Sequence, residues 1–220
     1  MKKVQAILFD CDGVLLDSEM PLRKQIHKWL LDIDGYNMTS NILMDLLRGK
    51  NAKQVVEILT EKGLNLPKDF EQKIITFVKA EYPTYTTKIE NVEEMLESLN
   101  DMPKVICSNG LAEVFSQAMK VKSIDNHFKG YFGRDNTGFA KPHPGVYLAG
   151  GEFLNTDMQN CLIVEDSATS GLAAAKASNA GVIVGFTGSG ADAEELKAAG
   201  ADYIIEDLTE LKALVNKLNA

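Results

Sequence analysis

The sequence predicts an α/β fold, a doubly wound parallel sheet carrying an inserted all-helical cap domain, and three observations predict it. Short apolar runs bounded by turn residues recur along the chain. Amphipathic helical patterns separate the later ones, the alternation that builds a parallel sheet covered on both faces. One long interval, from about Ser18 to Ala80, breaks that rhythm with helical patterns alone.

Taken in order, the first strand is expected over Val4–Phe9, an apolar run that stops at "DCDG". Pro21–Leu31, Ala52–Lys62 and Asp69–Lys79 then read as helices, with turn signals at "DIDGYN" and "KGLNLP". A crossover of this length cannot be one helix. We therefore divide the chain into a core of residues 1–14 and 88–220 and a helical cap of residues 15–87, with linkers near Val14–Asp17 and Tyr82–Ile89. The second strand is expected at Lys104–Cys107, followed by a helix over Ala112–Lys120 and another over Pro144–Leu154. Cys161–Val164 reads as the third strand. Ser167 caps the helix Ala168–Ser178, whose small residues let it lie close on a sheet. Gly181–Phe186, the helix Ala193–Ala199 and Tyr203–Ile205 complete the series.

At 220 residues the chain can build one core with a modest insertion. Hydrophobic content of 45% and charged content of 25% are those of a soluble globular protein, and no apolar run approaches the roughly 20 residues of a spanning helix, so no membrane partner is expected. The start "MKKVQAILFD" meets an aspartate too soon for a signal peptide, which predicts a cytoplasmic protein. With 23 Lys+Arg against 31 Asp+Glu the net charge is −8, a field that repels nucleic acid. A small anionic substrate remains compatible, because local basic groups outweigh the global field at short range. Cys11, Cys107 and Cys161 sit in or beside apolar runs and read as reduced, buried thiols, with Cys11 the candidate for oxidation.

In an open α/β sheet, ligands bind at the carboxyl ends of the strands. Those ends carry Asp10 and Asp12 after the first strand, Ser108 and Asn109 after the second, and Glu165 and Asp166 after the third, with Lys141 in "FAKPHP" before a helix. Four carboxylates cannot share a small site as anions without a cation, and an all-oxygen donor set selects a hard divalent ion of the Mg²⁺ type. A carboxylate can also take a phosphoryl group as nucleophile, and a second one two residues on can protonate the leaving oxygen and then activate water. Gly13 permits the tight turn that lets both aspartates face one substrate, while Ser108 and Lys141 can bind phosphoryl oxygens.

"FDCDGVLLDSE", "CSNG", "KPHP" and "IVEDS" resemble the four motifs of the haloacid dehalogenase-like superfamily, in its branch of sugar-phosphate phosphatases and β-phosphoglucomutase. The likeness spans the chain and implies a Rossmannoid core with a helical cap, a phosphatase acting on a small phosphate ester, and Mg²⁺. It implies that Asp10 is nucleophile and metal ligand, and that Asp12 is acid/base and binds metal through its carbonyl. Asp166 would be the side-chain ligand and Glu165 would act through a water, with Ser108, Asn109 and Lys141 on the substrate. Cap closure would exclude water from the reaction. Leu22 and Ala52 stand where the mutases carry a histidine and an arginine, which weighs against mutase chemistry, while "ICSNG" and "NCLIVEDS" are most similar to the 6-phosphogluconate phosphatase type. The expected state is monomer or weak homodimer.

Two readings of another class stay open. "GVIVGFTGSGADAEELKAAG" resembles a dinucleotide fingerprint around Gly188 and Gly190, which would make the chain a nucleotide-dependent oxidoreductase, and a non-catalytic binding protein could share the fold. His27, His127 and His143 lack metal-ligand spacing. In the cap, Arg48, Lys50 and Lys53 flank Gly49, and Glu19 and Arg23 follow "DS"; each is either a solvated helix charge or a substrate contact.

Overall fold

Apolar, β-branched runs with little polar alternation demand burial on both faces, and in the computed structural model, which describes residues 3–47, 50 and 52–220, they form a six-stranded parallel sheet. Its strands are β1 (Ala6–Phe9), β4 (Lys104–Cys107), β5 (Gly130–Phe132), β6 (Cys161–Glu165), β7 (Val182–Phe186) and β8 (Tyr203–Ile205), in the order β5-β4-β1-β6-β7-β8. The remaining two, β2 (Leu16–Asp17) and β3 (Thr87–Lys88), pair separately. β1 lies centrally, with Ile7 opposite Lys104 on one side and Leu162 on the other. Strand order reverses there, which makes the carboxyl end of β1 the topological switch point.

The chain forms two compact units, Met1–Asp17 with Lys88–Ala220, and Ser18–Thr87. In the sheet unit the helices are α5 (Val92–Ser98), α6 (Ala112–Val121), α7 (Arg134–Thr137), α8 (Gly145–Phe153), α9 (Ala173–Ala177), α10 (Ala193–Ala199) and α11 (Glu210–Asn219). Strand alternation sends Ala6, Leu8, Val105, Cys107 and Ile163 to one face, where they pack with Val146 and Tyr147 of α8, Ala174 and Ala175 of α9, and Leu196 of α10. Ile7, Phe9, Ile106, Leu162 and Val164 point the other way and are equally buried, with Phe9 edge-on to Phe128 at 6.3 Å. The three cysteines are buried and form no disulfide with one another, and burial pushes the Cys161 thiol up to about 11. Lys104 is a buried cation: its Nζ donates to the carbonyls of Leu99 (2.5 Å) and Met102 (3.0 Å), closing the end of α5 onto β4.

The helical unit contains α1 (Glu19–Leu30), α2 (Ser40–Leu46), α3 (Ala52–Glu61) and α4 (Phe70–Tyr85). Ile26 and Leu30 of α1, Leu43 and Met44 of α2, Val55 and Leu59 of α3, and Phe70 and Ile74 of α4 make its own core, with the Trp29 ring edge-on to Phe70 and Phe77. Arg23 is buried, donating to the Met44 carbonyl at 2.5 Å and reaching the Glu19 carboxylate at 3.4 Å, so it ties α1 to α2. Lys53 pairs with Glu57 and Lys50 is exposed; Arg48 and Gly49 lie outside the described residues. Among the described residues no helix is long and apolar enough to cross a membrane.

Three departures from expectation have physical reasons. β5 is three residues containing Gly130, too short to show a period, and becomes a strand by pairing with β4. α4 continues to Tyr85, past the expected linker start at Tyr82, because Pro83 costs it a single hydrogen bond while Thr86 Oγ1 donates back to the Tyr82 carbonyl. The helix expected over Ala168–Ser178 opens as a π turn, Ala168–Leu172, before α9.

Candidate active site

Asp10 follows β1 but stays in the ladder, its N–H donating to the Val164 carbonyl at 3.0 Å. The chain then turns sharply, with Leu15 and Leu16 both donating to the Cys11 carbonyl. Gly13 makes the turn at φ +84°, where a Cβ would lie 1.9 Å from Asp166 Oδ2. Glycine is thus required twice, for the left-handed conformation and for the approach of the loop to the end of β6.

Lys141 is buried between two carboxylates, its Nζ donating to Asp10 Oδ1 and Glu165 Oε1, each at 2.5 Å. Its backbone is held as well: Lys141 N–H donates to Asn109 Oδ1 at 2.6 Å, and Asn109 Nδ2 donates back to the Lys141 carbonyl at 3.4 Å. The Asn109 side chain therefore fixes the lysine loop to the end of β4. Tyr147, on the first turns of α8, donates its hydroxyl to Glu165 Oε1 at 2.5 Å, and Lys141 Nζ lies 4.8 Å from the centre of its ring. Glu165 Oε2 accepts the backbone N–H groups of Asp166 (3.2 Å) and Ser167 (3.3 Å). Four protein donors thus converge on one carboxylate. Ser108 Oγ accepts the Gly110 N–H at 3.0 Å and faces Asp12 Oδ2 at 3.5 Å, the outer limit of a hydrogen bond.

Asp10, Glu165 and Asp166 offer carboxylate oxygens all within 4.8 Å of one another. Burial raises Asp10 well above the usual carboxylate range, against the pull of Lys141 and with Glu165, Asp166 and Asp12 adding repulsion. Burial, then Glu165, raises Asp166 to about 7. Lys141 behaves oppositely: burial alone would lower it, but Asp10 and Glu165 hold it above an ordinary lysine and therefore charged. One ammonium does not neutralise this many acids, so the donor set fits a hard divalent cation beside Asp10 and Asp166.

The loop after β7 also belongs here. Ser189 Oγ donates to Asp166 Oδ2 at 3.2 Å, so the segment resembling a dinucleotide fingerprint delivers a hydroxyl to the acidic cluster. The helix after it does not offer its amino end to a pyrophosphate, because Asp192 Oδ1 already accepts the N–H groups of Glu194 and Glu195, each at 2.9 Å. Sequence reasoning missed Tyr147 and Ser189. Tyr147 reads as one more apolar position of α8, and the glycines around Ser189 drew attention to a different chemistry. The histidines hold local partners: Tyr36 for His27, Asn100 for His127 and the Gly145 N–H for His143.

Residues 7–184 match the profile of a known family, the haloacid dehalogenase-like hydrolases. The chain is 24% identical over 171 residues to the 6-phosphogluconate phosphatase of Escherichia coli, covering 76% of each. It is 24% identical to the phosphoglycolate phosphatase of Colwellia psychrerythraea, over 96% of each. Among solved structures, a family hydrolase from Deinococcus radiodurans with bound phosphate and sodium superposes with a TM-score of 0.85 at 25% identity, covering 99% of this chain and 97% of that one.

Proposed function

The chain belongs to the haloacid dehalogenase-like hydrolases, and from that premise we propose that it is a Mg²⁺-dependent phosphomonoesterase acting on a small phosphorylated sugar or sugar acid through an aspartyl phosphate. The observation that carries the reading is the buried Lys141 ammonium fixed between Asp10 and Glu165, beside Asp166, at the strand ends of the switch point. Phosphatases among its relatives support it.

In this mechanism Asp10 attacks phosphorus, and the leaving oxygen takes a proton from Asp12. Asp12 then removes a proton from water, which attacks the aspartyl phosphate and releases phosphate and the Asp10 carboxylate. Lys141, the Ser108 hydroxyl and backbone N–H groups after Asp10 receive the phosphoryl oxygens where negative charge must be stabilised. Asp10, Asp166 and the Asp12 carbonyl would hold Mg²⁺, with Glu165 in the outer shell, and the ion would supply the hard positive charge that a phosphoryl group and clustered carboxylates require. Charge of −8 argues against nucleic acid as partner, and three buried cysteines that form no disulfide suit a cytoplasmic setting. A monomer or weak homodimer completes the proposal.

The test is phosphate release from a panel of phosphorylated metabolites, with and without Mg²⁺, for wild type and Asp10→Asn. Release that needs the metal and vanishes in Asp10→Asn is expected. Substantial turnover by Asp10→Asn would remove the nucleophile assignment, and full activity in excess EDTA would remove the metal.

A further inference from the structure

A lysine ammonium has three protons to donate. Two of those on Lys141 go to Asp10 Oδ1 and Glu165 Oε1, and the third is left for an incoming phosphoryl oxygen. Its direction depends on where Glu165 Oε1 is held. That oxygen is shared with the Tyr147 hydroxyl at 2.5 Å, while Oε2 is tied to the backbone of Asp166 and Ser167. The same tyrosine presents its ring to Lys141 Nζ at 4.8 Å from the ring centre. Tyr147 therefore holds the lysine at both ends of the ion pair, by the ring against the ammonium and by the hydroxyl against its counterion. The side chain is fully buried, and burial, with Glu165 beside it, keeps the phenol protonated and so a donor. Gly171 makes room for this arrangement: a Cβ there would lie 1.9 Å from Glu165 Oε2, so the carboxylate rests in space that only a glycine leaves.

We propose that Tyr147 is a positioning residue that acts through Glu165 and its own ring face to aim the third Lys141 proton at the phosphoryl group. This rests on the phosphatase reading above. The tyrosine touches neither substrate nor the reacting atoms; it sets how tightly phosphate is bound.

Two variants separate the two grips. Tyr147→Phe keeps the ring and removes the hydroxyl, and Tyr147→Met removes both while filling a similar volume. The measurements are the dissociation constant of inorganic phosphate by titration calorimetry with Mg²⁺ present, and KM and kcat on the best ester of the panel. For Tyr147→Phe, the phosphate dissociation constant and KM should both rise about three- to tenfold, the range of one ordinary net hydrogen bond, with the melting temperature near that of wild type. Tyr147→Met should lose more. A merely structural role would lower kcat by leaving fewer active molecules, with KM and phosphate affinity unmoved, and that pattern overturns the proposal. So does a Tyr147→Phe variant that binds phosphate as wild type does, whatever Tyr147→Met shows. Should Tyr147→Phe fail to fold, Glu165→Gln, which weakens the shared acceptor at constant volume, must weaken phosphate binding; unchanged binding overturns the idea. A wild type that binds phosphate but releases none from any ester refutes the phosphatase reading instead, while the phosphate titration still reports on Tyr147.

Discussion

Replacing Gly13 by alanine tests whether the turn after β1 and the end of β6 are built to one tolerance. At φ +84° an alanine costs about 1–2 kcal/mol of backbone strain. Its methyl would start 1.9 Å from Asp166 Oδ2, where real contacts stay beyond 3.0 Å, so the carboxylate must retreat by at least about 1.1 Å. That movement breaks the Ser189 hydrogen bond and takes Asp166 out of the cluster with Asp10. A misplacement of about 1 Å at a reacting centre costs on the order of 100-fold in rate, and the strain alone lowers the melting temperature by about 2–8 °C in a chain of this size. Steady-state phosphate release across a Mg²⁺ titration reads the first effect and thermal unfolding the second. Gly35→Ala is the control: its φ is +83° and nothing lies within 4 Å of a Cβ, so it carries the strain without the collision. If Gly13→Ala loses no more activity than Gly35→Ala, or binds Mg²⁺ as wild type does, the turn after β1 does not hold Asp166 in the acidic cluster.

Two further predictions concern buried lysines. Lys141→Met leaves Asp10 and Glu165 facing each other without their cation, which should cost about 3–5 kcal/mol at neutral pH. The deficit should shrink as acid protonates Asp10, whose carboxyl burial holds above the usual range, and urea titrations at pH 7.5 and 5 check it; an equal deficit at both would contradict a charge-based penalty. Burial lowers Lys104 to about 8, below the ordinary lysine value of 10.5, so between those limits the unfolded chain binds the extra proton and stability should rise with pH. Against Lys104→Met, wild type should gain about 1–3 kcal/mol from pH 8 to 10.5 in chemical denaturation. Parallel pH profiles would show that the Lys104 ammonium is not desolvated.

The central strands were legible because burial on both faces writes itself as unbroken apolar runs, as in Val105–Cys107 and Cys161–Val164. β5 was not, since its three residues are half-buried and owe their conformation to β4. α11, with Leu211 and Val215 on its buried side, and α5, with Val92, Met95 and Leu96 on its own, carry a usable period outside the strand–helix rhythm, whereas α7, four residues long, is too short to show one. At the site, strand-end positions of Asp10, Ser108 and Glu165 follow from the runs themselves. What pattern cannot carry is contact across the fold. Tyr147 meets Glu165 and Ser189 meets Asp166 only once α8 and the β7 loop have packed, and neither spacing along the chain announces it.

The position of β1 in the sheet also constrains the order in which the molecule can assemble. Its ladder partners are Lys104–Ile106 and Cys161–Val164, so it is made before either of them and both its edges are paired only once Cys161–Val164 arrives. Until those segments leave the ribosome, "AILF" is a bare apolar strand with two open edges. The helical unit, whose core is drawn from residues 26–74, needs nothing downstream of itself to form. Synthesis thus favours an early helical body tethered to a waiting strand, and closure of the sheet late, through loops whose length makes it slow. In that interval Asp10 has neither Lys141 nor Glu165 and Asp166 beside it, and the acidic cluster exists only once β6 has joined the sheet.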